Sequence, residues 1–136
     1  PDHVIELFHG YTYTGHPMAA AAALATLETY QEEGLFERAR KLEDVWADAA
    51  MTLKGHPLVA DIRTIGITVG IDLVPVPGTP GKRAYDVMES GFHDHGLMVR
   101  ISGDTLAFSP PLIISESQID EMFSDRLPKM LEAATG

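Results

Sequence analysis

The sequence has no cysteine and only one tryptophan. Without thiols there is no disulfide, no thiolate metal site and no Cys nucleophile, a composition that suits the cytosol, so the expected location is cytoplasmic. Basic residues are scarce, with 10 Lys and Arg against 20 Asp and Glu and a formal net charge of −10. The imbalance is shared by both halves of the chain. No basic patch is available to gather phosphates, so neither nucleic acid nor an anionic membrane surface is an expected partner. Long apolar runs are also missing. The longest candidate, Met18 to Leu27, is mostly alanine and includes Thr26, well short of the ~20 apolar residues that span a bilayer. The chain opens Pro1-Asp2-His3, with no basic n-region ahead of an apolar stretch, so no signal peptide is expected and the start reads as a cut or as an omitted upstream region. Two catalytic signatures are absent as well. No Gly-x-Ser-x-Gly elbow occurs, and the phosphate loop that Gly81-Lys82 would close fails, with Arg83 after the lysine and Val76 in place of the first glycine.

What is present is enough to fold. The 136 residues are 45% hydrophobic and 22% charged, the profile of one ordinary globular domain with no room for a second full one. Residues His9 to His16 (HGYTYTGH) form a polar, aromatic loop. Pro17 then suits the first turn of a helix, and Gly34 suits its end, so the first helix is expected over 17–33. The five alanines Ala19 to Ala23 leave it a thin waist that another backbone can approach closely. Apolar residues at Leu35/Phe36, Ala39, Leu42, Val45/Trp46, Ala49 and Leu53 have helical spacing and predict one helix over 35–54.

Between Leu58 and Val74 the pattern switches to alternation. Ile65, Ile67, Val69, Ile71 and Leu73 stand against Gly66, Thr68, Gly70 and Asp72, which predicts one or two strands with Gly66 at a bend or bulge. A Pro- and Gly-rich connection follows. Residues 82–95 then carry Tyr85, Met88 and Phe92 at helical spacing, closed by Gly96. Two short strands, 97–101 and 105–109, flank the turn residues Ser102-Gly103-Asp104. Ser115 and Gln118 make a capping box for a last helix, which Pro128 should break into two pieces. The sum is an α+β fold, with helices packed on a small, mostly antiparallel sheet.

Three features have chemistry to weigh. His93-Asp94-His95 resembles a metal cluster only in composition, since residues two apart on a helix point to different faces, and no metal site is expected. The HGYTYTGH loop is either an ordinary turn-rich loop or, just ahead of a helix N-terminus, an anion-binding one. Arg100 alternates with Val99 and Ile101, so its guanidinium stands opposite two core residues. Solvent, a structural ion pair or a ligand could each receive it.

The residues themselves resemble a family. The stretches HGYTYTGHPMAAAAALATLETY (His9 to Tyr30), LVADIRTIG (Leu58 to Gly66) and GLMVRISGDTLAFSPPLIIS (Gly96 to Ser115) look like the C-terminal portion of class III, fold-type-I aminotransferases. They are most similar to the ω-amino acid:pyruvate branch, which includes β-alanine:pyruvate transaminases. The resemblance implies amino transfer from an ω-amino acid or primary amine to a keto acid such as pyruvate, with pyridoxal 5′-phosphate as cofactor. It also implies a homodimer or higher oligomer whose site is shared across subunits. Residues 1–16 would then be a cofactor-phosphate loop continuing from a large domain, 17–34 a connecting helix, and 35–136 the C-terminal small domain.

By the same resemblance, Thr12 gives a hydroxyl to the cofactor phosphate of the neighbouring subunit and Tyr11 lines that pocket. Arg100 matches the arginine that binds the keto acid's carboxylate. None of Lys41, Lys54, Lys82 or Lys129 has the context of the family's cofactor-binding lysine, which implies that this lysine lies upstream and that the chain alone is inactive. A different class of function, a non-catalytic binding or assembly module that pairs with a separate chain, is the alternative.

Overall fold

The computed structural model describes residues 10–134. His9, at the head of the polar loop, and the opening Pro1-Asp2-His3 lie outside the described residues, as do 135–136. The chain divides into two compact units, with the boundary between Leu35 and Phe36.

The first unit contains the polar loop and helix α1 (Pro17–Glu32). Pro17 occupies the first turn, where its missing N–H costs nothing, and Gly34 follows the helix at a φ of 59°, the left-handed conformation that ends helices. The alanine-rich α1 buries none of its residues.

Helix α2 (Leu35–Lys41) and helix α3 (Glu43–Met51) replace the single helix expected over 35–54. At Leu42 the backbone N–H is shared between the carbonyls of Arg38 (3.2 Å) and Ala39 (3.1 Å), which tightens the turn and interrupts the α-helix. The apolar periodicity runs through the interruption because the backbone stays nearly helical, so Leu42, Trp46 and Ala50 are all buried.

The second unit is built on a four-stranded sheet. Strands β1 (Val59–Ile65), β2 (Thr68–Leu73), β3 (Arg100–Ser102) and β4 (Thr105–Phe108) stand in the order β1-β2-β4-β3. Every pairing is antiparallel. Gly66, at a φ of 53°, makes the β1–β2 turn, and Gly103, at 58°, makes the β3–β4 turn. Along β2 burial alternates residue by residue, with Val69, Ile71 and Leu73 buried. Ile65 does not belong to that face as the alternation suggested. The two-residue turn sets Ile65 opposite Thr68, on the outer face, and it is 80% exposed.

Helix α4 (Lys82–Asp94) ends at Gly96, whose φ is 61°, as expected. The hairpin strands are shorter than the 97–101 and 105–109 expected. Leu97 leaves the sheet to donate its N–H to the Gly91 carbonyl at 2.8 Å.

The Ser115–Gln118 capping box is formed and opens helix α5 (Glu116–Asp120). The expected break at Pro128 takes the form of a π-helical segment (Glu121–Arg126) running into helix α6 (Leu127–Ala133). Proline has no N–H to continue the α-helical ladder. The widened segment instead lets Leu127 donate to the Met122 carbonyl five residues back.

One core unites the elements of the second unit. Trp46 of α3, Ile71 and Leu106 of the sheet, Phe123 of the π segment, and Leu127, Met130 and Leu131 of α6 are all essentially inaccessible. Each such side chain contributes about 1.5–3 kcal/mol relative to exposure. The other sheet face carries Arg63, Gly70, Ala107 and Arg100 in one row.

Candidate functional site

The first unit presents a small turn. Thr14 donates its backbone N–H to the Tyr11 carbonyl at 2.9 Å, and its hydroxyl accepts the Tyr11 N–H at 2.8 Å. These two bonds close the four residues from both sides. Thr12 and Tyr13 form the tip, and the Thr12 hydroxyl has no partner among the described residues. Tyr11 is 85% exposed. The Tyr13 and His16 rings meet edge to face at 6.4 Å.

The donor set of this turn fits a phosphate. It offers the Thr12 hydroxyl together with the N–H groups of Thr12 and Tyr13, which bond nothing among the described residues, and residues 10–16 contain no carboxylate. Hydroxyl and backbone N–H donors of this kind position phosphate groups without needing a full positive charge.

In the second unit, Arg100 lies on the outer sheet face. It stands opposite Ala107 of β4, which stands opposite Gly70 of β2, which stands opposite Arg63 of β1. The two arginines that end this row have different fates. Both terminal nitrogens of Arg63 donate to Asp72, one of them at 2.8 Å, and Asp61 lies 3.3 Å away. Thr105 adds a hydroxyl bond to Asp72 at 2.6 Å. The Arg63 fork, then the Thr105 hydroxyl, hold the Asp72 carboxyl below the usual aspartate range, and the bond to Asp72 raises the Arg63 guanidinium in turn. Arg100 is exposed, and its guanidinium has no hydrogen bond or ion pair among the described residues.

Beside Arg100 runs an open, mostly apolar groove of about 1040 Å³, with walls that include Met98, Phe108, Pro110, Ile113 and Met122. A second guanidinium, that of Arg126, also lines it. Arg126 donates to Glu121 Oε1 from Nε at 3.0 Å and from a terminal nitrogen at 2.5 Å, and its other terminal nitrogen bonds the His95 carbonyl. Of these two arginines, Arg100 is thus the one that no described residue occupies, and its fork is open to an anion. A planar fork over an apolar wall suits a carboxylate, which it can hold through two parallel bonds.

Comparison with known proteins decides the family. The family model described as aminotransferase class III matches residues 1–131. The chain belongs to the class III aminotransferase family. An omega-aminotransferase of Caulobacter vibrioides is 53% identical over 121 residues, an alignment that covers 89% of this chain and 27% of the relative. A beta-alanine–pyruvate aminotransferase of Pseudomonas aeruginosa is 34% identical over 125 residues, covering 90% and 27%. A solved thermostable omega transaminase from Pseudomonas jessenii aligns with a TM-score of 0.83 at 32% identity, covering 95% of this chain and 30% of that one. The chain therefore spans about a quarter of the length of these curated relatives, and its α+β fold is the one found in the matching part of solved transaminases.

Within this class III aminotransferase chain, two groups on the groove escaped the sequence reading. Glu121 and Arg126 are five apart, a spacing that does not pair on an α-helix, and only the π-helical turn brings them together. Arg38 was also passed over. It donates to the carbonyls of Leu112 (2.6 Å) and Ile114 (2.5 Å), holding the segment that forms one groove wall. No local pattern could show that bond, because its partners lie more than 70 residues away.

Proposed function

We propose that the chain is the C-terminal portion of a transaminase that moves an amino group from an ω-amino acid or primary amine to a keto acid such as pyruvate, with pyridoxal 5′-phosphate as cofactor. Membership of the class III family supports the reaction class and disfavours a module without chemistry. The observation that carries the substrate side is Arg100, whose guanidinium has no partner among the described residues and stands at the edge of an apolar groove. In this reading it holds the keto acid's carboxylate through its two-pronged face. A donor without a carboxylate leaves it idle.

Bound pyridoxal phosphate supplies the electron sink on which amino transfer depends. The chain's own part is to bind and orient. Thr12 donates its hydroxyl to the phosphate and Tyr11 lines the pocket. We assign residues 1–16 to a loop that serves the neighbouring subunit of a homodimer, 17–34 to a connecting helix and 35–136 to the small domain. The lysine that holds the cofactor's aldehyde belongs to another part of the full-length protein. Two of the four lysines here support that assignment, since Lys82 pairs with Asp86 at 2.6 Å and Lys129 with Asp125 at 2.5 Å.

The test is direct. The full-length protein, supplied with pyridoxal phosphate, β-alanine and pyruvate, is expected to form alanine, and the 136-residue chain alone is expected to form none above the cofactor background. Turnover by the isolated chain, or a full-length protein inert across amine donors and keto acids, would contradict the proposal.

A further inference from the structure

The polar turn of the first unit holds a second hydroxyl whose geometry differs from that of Thr12. Thr14 is bonded to Tyr11 twice, through its own N–H at 2.9 Å and through its hydroxyl, which accepts the Tyr11 N–H at 2.8 Å. A backbone-only turn would have the first bond and lack the second. The hydroxyl bond matters because the segment has few other ties. Among the described residues the other backbone tie is the His16 N–H to the Tyr13 carbonyl at 3.0 Å, residues 11–16 are all exposed, and glycines precede and follow the turn at Gly10 and Gly15, with φ values of 152° and 76°. A glycine at each end leaves the backbone free to unwind unless something local fixes it. A side-chain bond closing the turn removes that freedom before a ligand arrives, which is how pre-organisation raises affinity without adding a contact.

We infer that Thr14 is a positioning residue for the cofactor phosphate: its hydroxyl locks the Tyr11–Thr14 turn so that the Thr12 hydroxyl and the N–H groups at the tip converge on one point. The inference rests on the reading of Thr12 given above and extends it to a residue with no role in that reading. The Thr14 hydroxyl oxygen accepts from the Tyr11 N–H, and a Thr14 that instead donated its own O–H to the phosphate would act independently of Thr12 in the test below. A γ-methyl is not needed for this work, so serine at the same position should serve equally.

The experiment uses the full-length enzyme freed of cofactor, with pyridoxal phosphate binding measured by equilibrium dialysis and unfolding of the cofactor-free protein followed by heat. Thr14→Ala is expected to raise the Kd about 3- to 10-fold, the scale of one intramolecular hydrogen bond, with Tm of the cofactor-free protein unchanged. Thr14→Ser should restore wild-type binding. The decisive arm is a double-mutant cycle with Thr12→Ala. Thr14→Ala is expected to cost less in the Thr12→Ala background than in the wild type, because only the tip N–H groups are left for it to position. Full additivity overturns the inference by showing that the two hydroxyls act independently, and so does a Thr14→Ala enzyme that binds like wild type. If Thr12→Ala alone leaves binding unchanged, the assignment of Thr12 falls and the inference falls with it. A loss at Thr12 with none at Thr14 overturns the positioning role and leaves Thr12 standing.

Discussion

Arg100 and Arg63 show how much one neighbour decides. Both end the same row across the outer sheet face, yet Arg63 meets Asp72 and Asp61 while the residue beside Arg100 in the row is Ala107. Alternation along the strand made the direction of Arg100 legible in the sequence, whereas the freedom of its guanidinium was not, because that depends on which residues of other strands lie beside it. In the full-length enzyme, Arg100→Ala is expected to slow the keto-acid half-reaction by a factor on the order of 30 to several thousand, the equivalent of about 2–5 kcal/mol for a charge left unpaired. The half-reaction with a donor lacking a carboxylate should change little, and Arg100→Lys should recover only part of the loss. Single-turnover kinetics separates the two. Equal damage to both half-reactions with cofactor content unchanged would make Arg100 a structural residue.

The Arg63–Asp72 pair has a different signature, which appears in stability against pH. Asp72 titrates lower in the folded chain than in the unfolded one. Its contribution is therefore fully present above the unfolded value of about 3.9 and is lost as the pH falls through the lower folded value. Asp72→Asn should lower Tm at neutral pH, and the gap from wild type should close below about pH 4. A gap that persists undiminished well below that pH would show that Asp72 stabilises by packing and not by charge.

At the scale of elements, the sites of helix ends and turns were readable wherever a residue's own chemistry dictated them. Pro17, Gly34, Gly66, Gly96 and the Ser115–Gln118 box all mark boundaries, since each depends on a neighbour within a few positions. The division at Leu42 and the π-helical form of residues 121–126 were not readable. Both are changes of backbone hydrogen bonding, at Leu42 and at Leu127, that the apolar periodicity does not report. Gly91 is another case where distance in sequence hides the reason for a residue. A Cβ there would lie 2.9 Å from the Leu97 carbonyl oxygen and would also collide with Met130, so glycine is what lets the chain fold back from α4 toward β3 and Arg100. Alanine would favour the helix by roughly 1 kcal/mol, yet the overpacking costs about 1–3 kcal/mol and should prevail. Thermal unfolding of Gly91→Ala is expected to show a lowered Tm, and an unchanged or higher one would mean that the contact relaxes freely.

For the molecule as a whole, the α+β class and the family were legible, the second because three stretches of the chain resemble, in order, the class III family whose model matches residues 1–131. What the sequence alone could not supply was the difference between a free cation and a paired one on the same groove, which depends on the π-helical turn. The chain covers about a quarter of its relatives' length, so its proposed work is a shared one, with a turn offered to a neighbouring subunit's cofactor and an arginine offered to substrate. Subunit hybrids test both the chemistry and the sharing. Full-length Thr12→Ala subunits are mixed with subunits whose cofactor-binding lysine has been removed, at a cofactor concentration low enough that each parent is nearly inactive. If the turn acts across the subunit boundary, each hybrid holds one complete site, built from the lysine of one subunit and the Thr12 of the other, and alanine formation from pyruvate returns on mixing. No recovery in hybrids verified by mass would contradict the shared site and the role given to Thr12 within it.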